Sequence, residues 1–103
     1  MTKYLVLYKG DAGAREQMSN ASPEERAKGM RAWMDWAAAA GPAIVDLGAP
    51  LAAASADADE RLGGFSILQA DSADELQKVL AGHPHTATGG TIECHEFLPV
   101  PGT

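Results

Sequence analysis

The chain is poor in cysteine, in basic charge and in long apolar runs, and each shortage excludes a class of protein. One cysteine, Cys94, stands in 103 residues. No internal disulfide is available, which fits a reducing compartment such as the cytoplasm. Eight Lys and Arg face fourteen Asp and Glu, a formal net charge of −6 at pH 7. A nucleic-acid partner would demand a basic face, so none is expected. No apolar run approaches the roughly 18 residues of a membrane span, so no membrane partner is expected either. The first nine residues also lack the apolar region and cleavage site of a secretory leader. The hydrophobic fraction of 46% includes 20 alanines, which leaves 27 larger apolar side chains. That supply suits one modest core and a single domain over residues 1–103.

What is present is ordered by clear punctuation. Residues 4–8 (YLVLY) are aromatic and branched, as strands prefer, and end at Gly10 and Asp11. Ser22, Pro23 and Glu25 supply an N-cap, a first helical position and a capping-box partner. The helix they open runs to Ala40, where Gly41 and Pro42 stop it. Met30, Trp33, Met34, Ala37 and Ala40 recur at helical spacing and predict its core-facing stripe. Residues 43–47 (AIVDL) predict a second strand, closed by Gly48, Ala49 and Pro50. The low-complexity stretch 51–60 (LAAASADADE) reads as a loop, and residues 63–70 (GGFSILQA) as a third strand. Ser72 and Glu75 form another capping box for a second helix with Leu76, Val79 and Leu80 inward, ended by Gly82 and Pro84. Residues 91–98 (TIECHEFL) make a fourth strand, and residues 99–103 an extended, proline-bearing tail. The order βαββαβ predicts an α+β, ferredoxin-like fold: a four-stranded antiparallel sheet with two helices on one face.

A sheet covered on one side should alternate apolar and polar residues. The first strand does not, because Tyr4, Val6 and Tyr8 point one way and Leu5 and Leu7 the other. Both faces ask for burial, and two helices cover only one of them. The expected cover for the other is the sheet of a second copy, which makes the chain a homodimer with sheets packed face to face.

Several blocks together resemble the YCII-related (YciI-like) family: KYLVLYKG at the start, WMDWAAAAGPAIVDLGAPL, GGFSILQADSADELQKVLAGHPH, and IECHEFLPVPG near the end. The likeness spans nearly the whole chain apart from residues 11–21 and 51–62. It implies the dimeric α+β barrel, in which two ferredoxin-like sheets pair to enclose a barrel. It also implies an enzyme family with a His–Asp pair in a cleft, the histidine lying in the first helix. This chain has no histidine before His83, so that pair does not carry over intact.

The titratable residues offer a different set. His83, His85 and His95 fall within thirteen positions, and Pro84 extends the backbone before it. On the fourth strand Glu93, His95 and Phe97 share a face, which would point into the barrel. Asp46 is a lone carboxylate in an apolar run, and an Asp–His pair is able to orient an imidazole that titrates near neutrality. These residues predict a cleft with Asp46, His83, His85 and His95 as catalytic groups and Tyr8, Ser66 and Glu93 as substrate-binding groups. Structural readings stand beside this one: clustered histidines also serve packing, and Asp46 before Gly48 also suits a turn cap. The HPH spacing matches no standard metal motif and no metal is expected. No nucleotide-binding glycine pattern or nucleophile elbow is present, so no cofactor is expected. Trp33 and Trp36 read as core and rim packing, and Cys94 as a small apolar group. The expected function is therefore a cofactor-independent small-molecule enzyme using His/Asp acid–base chemistry. The alternative is a non-catalytic small-molecule-binding or accessory module on the same fold, and fold analogy adds a cofactor-independent monooxygenase.

Overall fold

Strand β1, Thr2–Lys9, sets the architecture through its alternation: Tyr4, Val6 and Tyr8 are buried while Leu5 and Leu7 are half-buried. In the computed structural model, which describes residues 1–10, 19–87 and 89–101, β1 is an inner strand of a four-stranded antiparallel sheet. The order is β2-β3-β1-β4, with β2 at Ile44–Pro50, β3 at Leu62–Ala70 and β4 at Thr91–Glu96. Helix α1 spans Pro23–Ala40 and helix α2 Ala73–Leu80. This is the expected βαββαβ, ferredoxin-like arrangement. Asp11 and the last two residues of the expected tail lie outside the described residues.

The expected capping box forms at α1, and at α2 only its Ser72 half forms. Ser22 Oγ accepts from the Glu25 amide at 3.1 Å, and Glu25 Oε1 accepts from the Ser22 amide at 3.4 Å. Gly41 ends α1 at φ +53° and starts a 3-10 turn, Gly41–Ala43, that delivers the chain to β2. Ser72 Oγ caps α2 through the Glu75 amide at 3.2 Å, while Glu75 Oε1 accepts from Lys78 Nζ at 3.1 Å. A four-residue helix α3, Pro84–Ala87, begins at the proline expected to end the second helix.

Both helices cover the even-numbered face of β1. Tyr4, Val6 and Tyr8 cluster there with Leu68 and Ala70 of β3, Trp36 of α1, and Leu76 and Leu80 of α2. Trp36 Nε1 donates to the Val79 carbonyl at 3.0 Å and ties the helices together. The inward stripe of α1 is Trp33, Trp36, Ala37 and Ala40, not the expected one through Met30 and Met34, which are exposed. At 100° per residue Met34 lies roughly 110° from the centre of that stripe. Trp36, expected at the rim, is the tryptophan that the core encloses.

Polar groups inside this core are arranged in two sets. Tyr8 Oη donates to Ser66 Oγ at 2.9 Å, and Ser66 Oγ donates to the Leu47 carbonyl at 2.6 Å. This chain staples β1, β3 and β2, and burial pushes the Tyr8 phenol up to about 12. His83 is fully buried, with ring centroids of Trp36, Trp33 and Tyr8 at 4.4, 4.5 and 4.9 Å. Its Nδ1 accepts from the His85 amide at 3.0 Å, so the neutral ring carries its proton on Nε2, which has no hydrogen-bond partner among the described residues. Burial, helped by the neighbouring His85, pushes the His83 pKa down to about 4.

Edge strand β2 bends where its register shifts between Asp46 and Ala49. Gly48 sits there at φ +87°, and a Cβ on it would collide with the Phe65 carbonyl. Gly48→Ala is expected to destabilise the fold by about 2–4 kcal/mol in urea titration, through backbone strain and the collision together. For His83, a folded pKa below the unfolded one means that the unfolded chain binds the proton more readily. Stability is therefore complete above about pH 6.5 and falls as pH drops through about 4, by on the order of 3 kcal/mol. Urea midpoints measured from pH 8 to pH 4 should trace this loss, and replacing His83 with Gln should flatten it.

Candidate functional site

Among the described residues, no helix packs on the odd-numbered face of the sheet. Its register aligns Leu5 with Ile67 on one side and His95 on the other, and Leu7 with Phe65 and Glu93. Leu5, Leu7, Phe65 and Ile67 are all half-buried and form an apolar floor. Glu93 and His95 border that floor along edge strand β4, and Lys9, paired with Thr91, closes one end.

His95 Nε2 lies 2.8 Å from Glu93 Oε2. The hydrogen bond from His95 and the ammonium of Lys9 hold the Glu93 carboxyl below the usual carboxylate range. Lys9 Nζ lies 3.9 Å from Glu93 Oε1 and 3.0 Å from Asp59 Oδ2. Asp59 also accepts from the amide and from Nε of Arg61, at 2.9 and 3.4 Å, and these three donors lower its pKa to about 2. Beside them opens a cleft of about 480 Å³, lined by Lys9, Gly10, Arg61, Gly89, Thr91 and Glu93 among others. The arrangement offers an imidazole oriented by a carboxylate, two cations, and an adjoining apolar surface.

The seven residues expected in one cleft are divided by the sheet. Glu93 and His95 are together on the open face, as their shared strand phase requires. Tyr8, Ser66 and His83 are on the opposite side, in the core, where Tyr8 and Ser66 bond one another and His83 is closed in by aromatic rings. His85 is half-buried, its Nε2 2.7 Å from the Lys9 carbonyl. Its ring lies so close to Gly90 that a Cβ there would strike it. It thus joins the end of β1 to the turn before β4. Asp46 accepts from the Gly48 amide at 2.8 Å, the turn-capping role. Three strand spacings separate β2 from β4, roughly 14 Å, so Asp46 and His95 of one chain do not pair. Three groups of this face were missed: Lys9, Asp59 and Arg61. Lys9 was legible in principle, since it continues the odd phase of Leu5 and Leu7. The loop carrying Asp59 and Arg61 gives no such periodic signal.

Among the described residues no group of three or more His, Cys, Asp or Glu is placed to hold a metal ion. Nor is any described helix long and apolar enough to cross a membrane.

Known proteins share this architecture. A solved structure of 5-chloro-2-hydroxyhydroquinone dehydrochlorinase from Burkholderia phenoliruptrix AC1100, in complex with 2,5-dihydroxybenzoquinone, is similar with a TM-score of 0.56. The two are 22% identical, over 88% of this chain and 90% of that one, a likeness of fold. Comparison with curated proteins gives no match. The model of the YCII-related domain matches residues 2–99, a span that holds all four strands and helices α1, α2 and α3, and the chain therefore belongs to the YCII-related family.

Proposed function

We propose that the protein is a small-molecule enzyme that works by acid–base chemistry on the open face of its sheet, with Glu93 and His95 as the acting pair. The observation that carries this reading is the 2.8 Å contact of His95 Nε2 with Glu93 Oε2 at the border of a polar cleft and an apolar floor. Glu93, held ionised, accepts the Nε2 proton and fixes the imidazole. The other ring nitrogen then takes a proton from a compound lying over Leu5 and Leu7, and returns it after rearrangement or loss of a leaving group. The structural neighbour acts on a small ring compound, as its name states, which supports this class of substrate. His85 keeps a supporting role, holding the Lys9 backbone. Asp46 serves the β2 bend.

The same reading includes a homodimer. Four half-buried apolar side chains face away from the helices, and a second copy of this sheet is the surface that matches them in shape and chemistry. Packing face to face would bury them and draw water away from Glu93 and His95. The lone Cys94, half-buried and with its thiol pushed up by burial, supports a cytoplasmic setting.

Two measurements test the proposal. In D2O, NMR should detect exchange of acidic C–H protons in at least one of a panel of small enols and hydroxyaromatic compounds. His95→Gln should slow that exchange by about 10²- to 10⁴-fold. Equal rates in the variant would overturn the acid–base role. Binding of a compound without exchange would instead favour the small-molecule-binding module. Light scattering should give twice the mass of one chain, and Leu7→Asp should halve it; a single-chain mass at micromolar concentration would remove the dimer.

A further inference from the structure

We propose that Lys9 and Arg61 form a seat for the anionic oxygen of a small organic acid, and that the Asp59 carboxylate occupies this seat until the acid arrives. The inference rests on the reading above and names the substrate class of the same face. Lys9 comes from the end of β1 and Arg61 from the approach to β3, yet both converge on one carboxylate. Asp59 Oδ2 lies 3.0 Å from Lys9 Nζ, and Oδ1 lies 3.4 Å from Arg61 Nε. A ligand carboxylate, enolate or phenolate would be received by the same two donors in the same way.

The two cations are complementary in exposure. The Lys9 side chain is 24% exposed, its stem lying along the sheet while its Nζ reaches Asp59 Oδ2 and Glu93 Oε1. Arg61 is 65% exposed, and among the described contacts only its Nε is engaged, which leaves terminal N–H groups for a second oxygen. Asp59 is the replaceable member. It belongs to an exposed loop, and its side chain is 39% exposed.

Charge decides between an anion and a cation. The Lys9 ammonium already stands between Asp59 and Glu93, at 3.0 and 3.9 Å, so the place for a cation is filled. An anion that replaces Asp59 leaves the balance of Lys9, Arg61 and Glu93 unchanged. Position decides between an inorganic and an organic anion. Leu7 pairs with Glu93, and Phe65 pairs with Leu7, one step along the sheet from Lys9. An acid seated at Lys9 would lay its apolar body on that floor and bring its far end beside Glu93 and His95.

The test titrates the whole chain with benzoate and with benzamide, its neutral counterpart, and follows backbone amides by NMR. Benzoate should shift the amides of Lys9, Thr91 and Glu93 to saturation, and benzamide should not. Asp59→Asn keeps an oxygen for the Arg61 amide but removes the competing charge, and should tighten benzoate by about 3- to 10-fold. Arg61→Gln should weaken it by a similar factor. Equal response to benzamide, an unchanged or weaker affinity in Asp59→Asn, or shifts centred elsewhere would overturn the seat. Benzoate binding with no proton exchange on any compound supports the seat while removing the acid–base reading. Exchange of neutral compounds without a benzoate response does the reverse.

Discussion

Side-chain alternation on β1 is the constraint from which the other features follow. Because β1 lies between β3 and β4, the phase of five consecutive residues, Tyr4 to Tyr8, assigns partners on both sides. Even positions meet Leu68, Ser66, Ile92 and Cys94, and odd positions meet Ile67, Phe65, Glu93 and His95. A slip of one residue would carry the Tyr8 phenol to the open face and push Leu5 and Leu7 under the helices. It would also break the Tyr8–Ser66–Leu47 chain, whose members come from three strands. Register, core and open face are therefore one decision rather than three.

The polar groups of the core show why titratable residues are not all functional. A buried hydroxyl or imidazole costs a few kcal/mol unless hydrogen bonding offsets it. Tyr8 and Ser66 meet that condition with each other and with a backbone carbonyl. His83 meets half of it: Nδ1 takes the His85 amide, and Nε2 has rings around it instead of an acceptor. This residue holds α3 against α1 and β1, and it does so as a neutral ring. Glu93 and His95 are the contrasting case, since each is about half exposed and is satisfied by the other across two residues of one strand.

Elements were legible where local chemistry decides them. Ser22, Pro23 and Glu25 announce α1, Ser72 announces α2, and glycine or proline marks most ends. The phase of β4 was legible as well, which is why Glu93 and His95 were assigned together to the open face. Reading failed where proximity in sequence replaced proximity in space. His83 and His85 are two residues apart, yet one faces the aromatic core and the other the Lys9 carbonyl. Asp46 carried an apolar-run signal that proved to be a bulge, where a short carboxylate and a positive-φ glycine satisfy each other. The meeting of Lys9 with Asp59 joins positions fifty apart in the sequence. Neither composition nor period encodes such a contact.

Exposure links the proposed acid–base pair, Glu93 and His95, to the sheet face that no described helix covers. In a single chain the side chains of His95 and Glu93 are 58% and 48% exposed. Water at that level screens their interaction and would compete in the proton transfer proposed for them. The apolar floor beside them meets the same water, at a cost of roughly 25 cal/mol for each Å² left uncovered. The second sheet of the proposed dimer, laid over Leu5, Leu7, Phe65 and Ile67, would relieve both conditions at once. It would bury the floor and lower the local dielectric around an imidazole already held by its carboxylate. In the proposed dimer, assembly would supply the desolvation that the proposed proton transfer requires, and one chain would hold only half of the enclosure around Glu93 and His95.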